Sequence, residues 1–406
     1  MSKRKEVKLK RELGIFQVTL AGIGIILGAG IYALIGVAAG TSGNATWLAF
    51  LISALIAMFT GLSYAELSSM FKTDAGEFDY LKNAINKKFA FFVGISMVAA
   101  GFISAAAVAL GFAGYFTQFV NIPIIAAAIL LIIVMTLINF IGIKESSWFN
   151  TTSTIIEFCG LILIIFLGIK YFGSVDYFEM PKGFNGVLSS AALVFFAYMG
   201  FESIVKLGEE TKRPEKVIPR ALVYSVIITS VLYVLVAVSA VSVLGWEKLS
   251  ASSAPLASVA AASLGSYAFL LLTIVALFST SNTVLITMVA SSRQLYGMAE
   301  EHSLPRVLSY VHERTRTPWV AVLLIMSLAI IFVLVGDIEV VANLTNLFLF
   351  ITFASVNLSL IILRYKCKGT KRNFRCPVNI GKFSVIAFLG LLTSLFMIVF
   401  VVWNLL

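Results

Sequence analysis

The stretch GIGIILGAGIYALIG, residues 22–36, sets Gly22, Gly24, Gly28 and Gly30 in the middle of an apolar run covering residues 14–39. Each glycine weakens a helix by about 1 kcal/mol relative to alanine. Bare peptide groups at membrane depth are tolerated only where they face protein or a wet cavity. A second interrupted stretch, LVFFAYMGFESIV at residues 193–205, carries Gly200 just ahead of Glu202. Read alone, Gly24-x-x-x-Gly28 is also a small-residue motif for helix packing. The first stretch is not a dinucleotide fingerprint, because position 27 is leucine and no strand precedes it.

Composition decides the solvent. Of the 406 residues 60% are hydrophobic and 12% charged, against about 45–50% and about 25% in a soluble domain. No soluble fold has interior enough for that excess, so lipid surrounds most of the chain. The formal net charge of +10 invites a nucleic-acid partner, but the charges fall in short runs between apolar stretches, the pattern of membrane loops. No nucleic acid is expected. Cys367 and Cys376 are spaced like no common zinc site, Cys159 lies in an apolar run, and no metal site is expected. The basic start and first apolar run resemble a signal peptide, yet the run is too long for one and is read as a retained span.

A bilayer core takes about 20 apolar residues per helix. Eleven runs qualify: 14–39, 45–66, 89–118, 122–141, 152–171, 186–206, 222–244, 264–297, 319–335, 340–363 and 383–405. With alternate loops assigned to opposite sides, every one of the 30 Lys and Arg residues except Lys170, Lys182 and Lys248 falls on one side. Basic loops stay in the cytoplasm. The N-terminus is therefore expected inside and the C-terminus outside a cell membrane.

The two interruptions lie five spans apart. The expected fold is an all-α integral membrane protein of eleven helices forming one domain. A cytoplasmic tail (1–13) precedes a first repeat (14–171), an inverted second repeat (186–363) and an extra helix (383–405), with helices 1 and 6 discontinuous. In such transporters the broken helices hold the substrate at the midplane, amides on an anionic group and carbonyls on a cation.

Of the twenty acidic residues, Glu66, Glu157 and Glu202 fall inside apolar runs. A charge at the bilayer centre costs about 2.5–3.5 kcal/mol on insertion scales, so such groups face a partner or a pathway. Glu66 closes span 2 in YAEL, where water or the following basic loop can reach it. Glu202 has Lys206 four residues on, a favourable order for a helical ion pair. Glu157, in TSTIIEFCGLILII, has no basic residue within a turn or two; it either takes a coupling role, as a proton carrier, or makes an interhelical hydrogen bond. Span 8 groups Ser279, Thr280, Ser281 and Asn282. Oxygens of this kind suit a hard cation such as sodium, with Ser279 and Ser281 the candidate ligands, but such hydroxyls also bond their own helix backbone.

Taken in order, several motifs resemble one family along essentially the whole chain: amino acid permeases of the amino acid–polyamine–organocation superfamily, with the leucine-transporter-type fold. They are GAGIY (28–32), YAEL with DAGEFDY (64–67 and 74–80), FFAYMGFE (195–202), EETKRPEKVIPRA (209–221), SRQLYGMAEEHSLP (292–305) and TPWVA (317–321). GAGIY looks most like the cationic amino acid transporter branch. The resemblance implies that the Ala29 and Gly30 amides, at the turn opened by Gly28, hold a substrate carboxylate. It implies that the carbonyls of Ile26, Phe196 and Met199, around Ala197, hold its ammonium, with Phe196 as an aromatic lid. Spans 3, 8 and 10 would line the side-chain pocket, and they offer no charge at mid-depth. Two departures stand out. Many sodium-independent members carry a lysine where this chain has Glu157, and relatives usually have twelve or more spans, so dimer contacts from later helices are not expected here.

The expected activity is secondary active transport of an amino acid or related amine by alternating access. Proton symport through Glu157, with Glu202 as a second coupling candidate, is the leading form; sodium coupling and exchange are the alternatives. No cofactor beyond the coupling ion is expected, and the partners are the substrate and the bilayer. A nutrient sensor could use the same pocket, but it would favour long cytoplasmic tails. An enzyme would need a catalytic constellation, and the only histidines, His302 and His312, lie in one loop.

Overall fold

The structure, a computed structural model, describes residues 13–71, 76–141, 143–208, 211–367 and 372–405. The expected tail up to residue 12, Asp74 and Ala75 of the motif after span 2, and Glu209 and Glu210 lie outside the described residues, as does the Lys206 side chain expected to pair with Glu202.

The first apolar run is broken. Helix α1 (Ile15–Ile26) ends where Leu27 and Gly28 turn extended, at φ −60°, ψ 116° and φ −154°, ψ −178°; α2 (Ala29–Ser42) then resumes. α3 (Thr46–Met70) and a short α4 (Glu77–Ala84) follow. Next come α5 (Lys87–Phe116), α6 (Ile124–Ile141) and α7 (Ile143–Gly168). The sixth run opens as α8 (Gly183–Val194) and tightens into a 3-10 turn (Phe195–Tyr198). It breaks at Met199 and Gly200, the latter at φ 117°, and resumes as a 3-10 segment (Phe201–Leu207). α9 (Pro214–Ala251) starts on a proline, whose fixed φ suits a first helical turn, and contains a non-helical residue at Gly245. α10 (Pro255–Leu264), α11 (Ser266–Glu300), α12 (Trp319–Val333), α13 (Ile338–Lys366) and α14 (Val385–Leu405) complete the chain. The only sheet among the described residues is a hairpin of β1 (Asn379–Ile380) and β2 (Phe383–Ser384), pairing Asn379 with Ser384 and Ile380 with Phe383.

The chain is thus an all-α membrane protein. Among the described residues nine helical stretches are long and apolar enough to cross a bilayer, one of them running from Ala29 through Met70; Ile15–Ile26 and Trp319–Val333 are shorter apolar helices. Each of the eleven apolar runs coincides with helix, the first and sixth in two pieces. Large apolar side chains such as Leu130, Leu137, Ile155, Phe166, Phe396 and Val399 stand exposed on α6, α7 and α14. In water they would be costly; in lipid they need no cover. Two short helices, α4 and α10, are absent from the sequence reading because neither is long enough to span. α7 begins nine residues before its apolar run, as the polar segment up to Asn150 and Thr151 is helical too.

α3, α1 and α2 pack against α9, and α8 against α2 and α3, while α5 packs against α11, α13 and α6. The apolar interior divides accordingly. Ile26, Leu27, Ile31 and Phe195 belong to one cluster, and Ala29, Leu34 and Phe196 to the other. Both helix breaks therefore lie on the seam between two cores.

Near the end of α3, Glu66 is fully buried. Among the described residues its partners come from the last turn of α13 and the loop after it. Arg364 grips both carboxylate oxygens, one at 2.9 Å; Arg372 Nε lies 3.3 Å away, and the Cys376 amide donates at 2.7 Å.

Candidate functional site

The two breaks touch. A Cβ placed on Gly30 would lie 2.5 Å from the Ala197 Cα, and one on Gly200 would lie 2.6 Å from the Ile25 carbonyl oxygen. Only residues without side chains let these backbones meet, and the positive φ of Gly200 adds a second reason for glycine there. The ends of four helical segments converge at one level, and their free amides and carbonyls are unsatisfied by their own helices.

A cavity of about 220 Å³ opens at this point. Ile26, Gly28, Gly30, Phe196, Ala197, Met199 and Glu202, all anticipated as site residues, line it. Ala29, Glu157, Ser279 and Ser281 do not. The rest of the wall comes from α5 (Met97, Gly101, Ser104), α7 (Asn150) and α11 (Asn282 to Gln294). The cavity extends from the breaks along the last turn of α1, the middle of α5 as far as Met97 and the C-terminal half of α11, where Ala290 is exposed and Gln294 half-exposed. Beyond the breaks in the other direction Ile31, Tyr32, Ile35, Ala38 and Ala39 are completely buried. The site is open on one side only.

Several groups hold the breaks in place. The Ala29 amide donates to the Thr283 hydroxyl at 2.9 Å, and that hydroxyl donates to the Ser279 carbonyl at 3.1 Å. Tyr233 donates to the Ile26 carbonyl at 3.0 Å, so this expected ammonium ligand has a partner already. The Phe196 carbonyl accepts from the Met199 amide at 3.2 Å, closing the 3-10 turn. Glu202, buried, accepts the Gly200 amide at 2.9 Å and so caps the segment after the break. Its carboxylate faces the cavity already engaged with backbone.

Glu157 lies behind this wall. It is completely buried, and neither carboxyl oxygen has a hydrogen-bond partner among the described residues. The Ser279 hydroxyl adjoins the carboxyl without making a bond of good geometry, and it too has no partner. The Tyr32 hydroxyl donates to the Glu157 carbonyl at 3.0 Å. Ser279 and Ser281 do not converge: two residues apart on a helix they point about 200° from each other. Thr283, one turn from Ser279, shares its face instead.

Thr283, Asn150 and Tyr233 were missed as site residues, and Asn282, grouped with the span 8 oxygens, was not named as a ligand. The signal for Thr283 was present in the run Ser279-Thr-Ser-Asn-Thr283, where a hydroxyl recurs at an interval of four. Tyr233 had none, because it acts from a different helix across the fold. Among the described residues the walls carry no charged side chain apart from Glu202. What remains is exposed peptide ends for a carboxylate and an ammonium, and a wall of Met97, Ile286, Ala290 and small hydroxyls for the rest of a ligand.

Known proteins resemble the chain along most of its length. The chain is 29% identical to the branched-chain amino acid permease BcaP of Bacillus subtilis, over 98% of its own length and 90% of that protein's. It is 28% identical to the methylthioribose transporter of the same organism, over 92% and 85%. It is also 28% identical to the vacuolar cationic amino acid transporter 4 of Arabidopsis thaliana, over 88% and 64%. The amino acid permease family model matches residues 13–405, which is nearly the whole chain. With its broken helices meeting at a cavity of peptide ends, the chain belongs to the amino acid permease family and is a multi-pass membrane transporter rather than an enzyme.

Proposed function

We propose that this permease carries neutral aliphatic amino acids across the cell membrane by alternating access, in symport with a proton held by Glu157. The observation that carries the reading is the cavity at the two helix breaks, whose walls are, among the described residues, uncharged apart from a Glu202 bonded to backbone. The substrate carboxylate sits at the N-terminus of α2, toward Gly30, where the helix dipole favours an anion while the Ala29 amide is held by Thr283. Its ammonium sits on the carbonyls at the end of α1 and around Met199. An aliphatic side chain lies toward Met97, Ile286 and Ala290, while a lysine or arginine side chain would find no acidic partner there. The branched-chain amino acids for which BcaP is named are of the same class.

With the basic loops on the cytoplasmic side, the open face of the cavity is the inner one and the conformation is inward-open. Leu13 accepts a 2.9 Å hydrogen bond from the Lys212 amide, tying the start of α1 to the loop ahead of α9 so that these inner ends move together. The position of Glu157 supports proton coupling. A carboxyl buried without a cation can cross between states only when neutral, so it can take up a proton facing one side and release it facing the other.

The test is uptake into liposomes containing purified protein. Labelled leucine, isoleucine and valine should accumulate under an inward proton gradient, with lysine and arginine at background and no requirement for sodium. Glu157→Gln should still exchange bound substrate but fail to concentrate it. Concentrative uptake by that variant under a proton gradient sinks the coupling assignment, and preferential uptake of lysine sinks the substrate class.

A further inference from the structure

Behind the cavity wall, buried oxygens line the contact between α7 and α11. Ser153 Oγ, both carboxyl oxygens of Glu157, Ser279 Oγ and Asn282 Oδ1 have no hydrogen-bond partner among the described residues. Their side chains are all more than nine-tenths buried. Asn150, Ser153 and Glu157 recur at intervals of three and four, which puts them on one face of α7. Ser279 and Asn282 stand three apart on α11, and the two helices pack against each other. The rows meet at both ends. Asn282 Nδ2 donates to Asn150 Oδ1 at 3.0 Å, and Ser279 adjoins Glu157.

One end of this seam opens on the cavity. Asn150 and Asn282 line the cavity, and seven residues of helix, about 10 Å, separate Asn150 from Glu157. Buried polar groups in proteins are nearly always hydrogen-bonded, and those that lack a protein partner are met by ordered water. A dry apolar contact would not put orphaned oxygens on both helices at the same level. We propose that the α7–α11 seam is a proton pathway, in which water held by Asn282, Ser153 and Ser279 relays protons between the cavity and Glu157. The proposal rests on the reading of Glu157 as the coupling group.

Along the row each water accepts one proton and passes on another. Glu157 gives up its proton to the cavity, or gains one from it, and no charge is left stranded between the helices. Among the described residues the titratable groups facing the carboxyl are the phenols of Tyr32 on α2 and Tyr233 on α9; Cys159, two residues on along α7, points away from it and is exposed. α6 and α10, which also pack against α7, contribute none. The substrate and the proton therefore enter from the same cavity but part at Asn282, the substrate toward Gly28 and the proton toward Ser153.

The pathway is tested by hydrogen–deuterium exchange at the Glu157 carboxyl, followed by its infrared C=O stretch at a pH where it is protonated, with Glu157→Gln identifying the band. Ser153→Val fills the seam, and Ser153→Ala removes the hydroxyl but leaves room for water. Exchange in Ser153→Val should be at least tenfold slower than in wild type. Proton-driven uptake should fall by a similar factor, while substrate-induced thermal stabilisation, which reads the cavity alone, should not change. Ser153→Ala should stay within about threefold of wild type. Asn282→Leu, which blocks the mouth, should slow exchange as Ser153→Val does and serves if the valine variant does not fold. Exchange at the wild-type rate in Ser153→Val or Asn282→Leu overturns the pathway. Because exchange reports water access whether or not the carboxyl couples transport, the pathway and the coupling role fail separately.

Discussion

The first amide of α2, that of Ala29, is held at 2.9 Å by the hydroxyl of Thr283 on α11. Span 8 therefore fixes the height of the break in span 1, and Thr283 also anchors itself to the Ser279 carbonyl. Removing the hydroxyl while keeping the shape leaves a buried N–H without a partner, at a cost of about 1–3 kcal/mol. Thr283→Val should lower the thermal stability of the purified protein by that amount and raise the KM for uptake. Thr283→Ser, which keeps the acceptor, should stay near wild type in both. A valine variant as stable as wild type would mean that the bond contributes nothing.

Gly30 touches Ala197 backbone to backbone. A Cβ at position 30 would stand 2.5 Å from Ala197 Cα and 2.8 Å from its Cβ. No rotamer change can relieve a clash with the main chain, so the two broken spans must part. Gly30→Ala should reach the membrane in normal amounts but lose more than 90% of uptake. Adding Ala197→Gly removes only the lesser clash and should not restore activity. Recovery in the double variant would show that the backbone at position 197 can give way.

How much of this was legible beforehand follows from what each residue depends on. The breaks at Leu27–Gly28 and Met199–Gly200 were readable because glycine in an apolar run is a local signal with a local consequence. The apolar runs gave helices for the same reason. The partners of the broken ends were not readable. Tyr233 reaches Ile26 from a helix more than 200 positions away, and Thr283 reaches Ala29 across a similar distance. Glu66 shows the limit most clearly. Its neighbours in sequence suggested water or the next basic loop, and nothing there pointed to Arg364, which holds its carboxylate because α13 packs beside α3.

That buried pair predicts an asymmetric mutant series. Removing one partner strands a charge and costs about 3–5 kcal/mol, whereas replacing both with apolar residues is often neutral. Arg364→Leu should therefore destabilise the purified protein strongly, and Glu66→Leu with Arg364→Leu should recover most of the loss. Thermal unfolding in detergent reads both. A double variant no better than Arg364→Leu would show that Glu66 matters chiefly for the Cys376 amide it accepts, and not for the guanidinium.

Cys376 reports on the same clamp. It lies in the loop between α13 and α14, 1% exposed, with its thiol donating to the Leu62 carbonyl at 3.1 Å. Burial, reinforced by the Glu66 carboxylate, pushes the thiol well above the ordinary cysteine range. Thiolate is the reactive form, so a raised pKa means less thiolate at any given pH below it, and reactivity that climbs only at strongly alkaline pH. In a Cys159→Ala background, maleimide between pH 7 and 9 should label the half-buried Cys367 and spare Cys376. Arg364→Leu should loosen the loop and raise labelling at Cys376 at least tenfold, as mass spectrometry of the two peptides will show. Equal labelling of the two cysteines in the parent protein would mean that the loop does not hold Cys376 against α3, and that Glu66 and Arg364 meet without closing it.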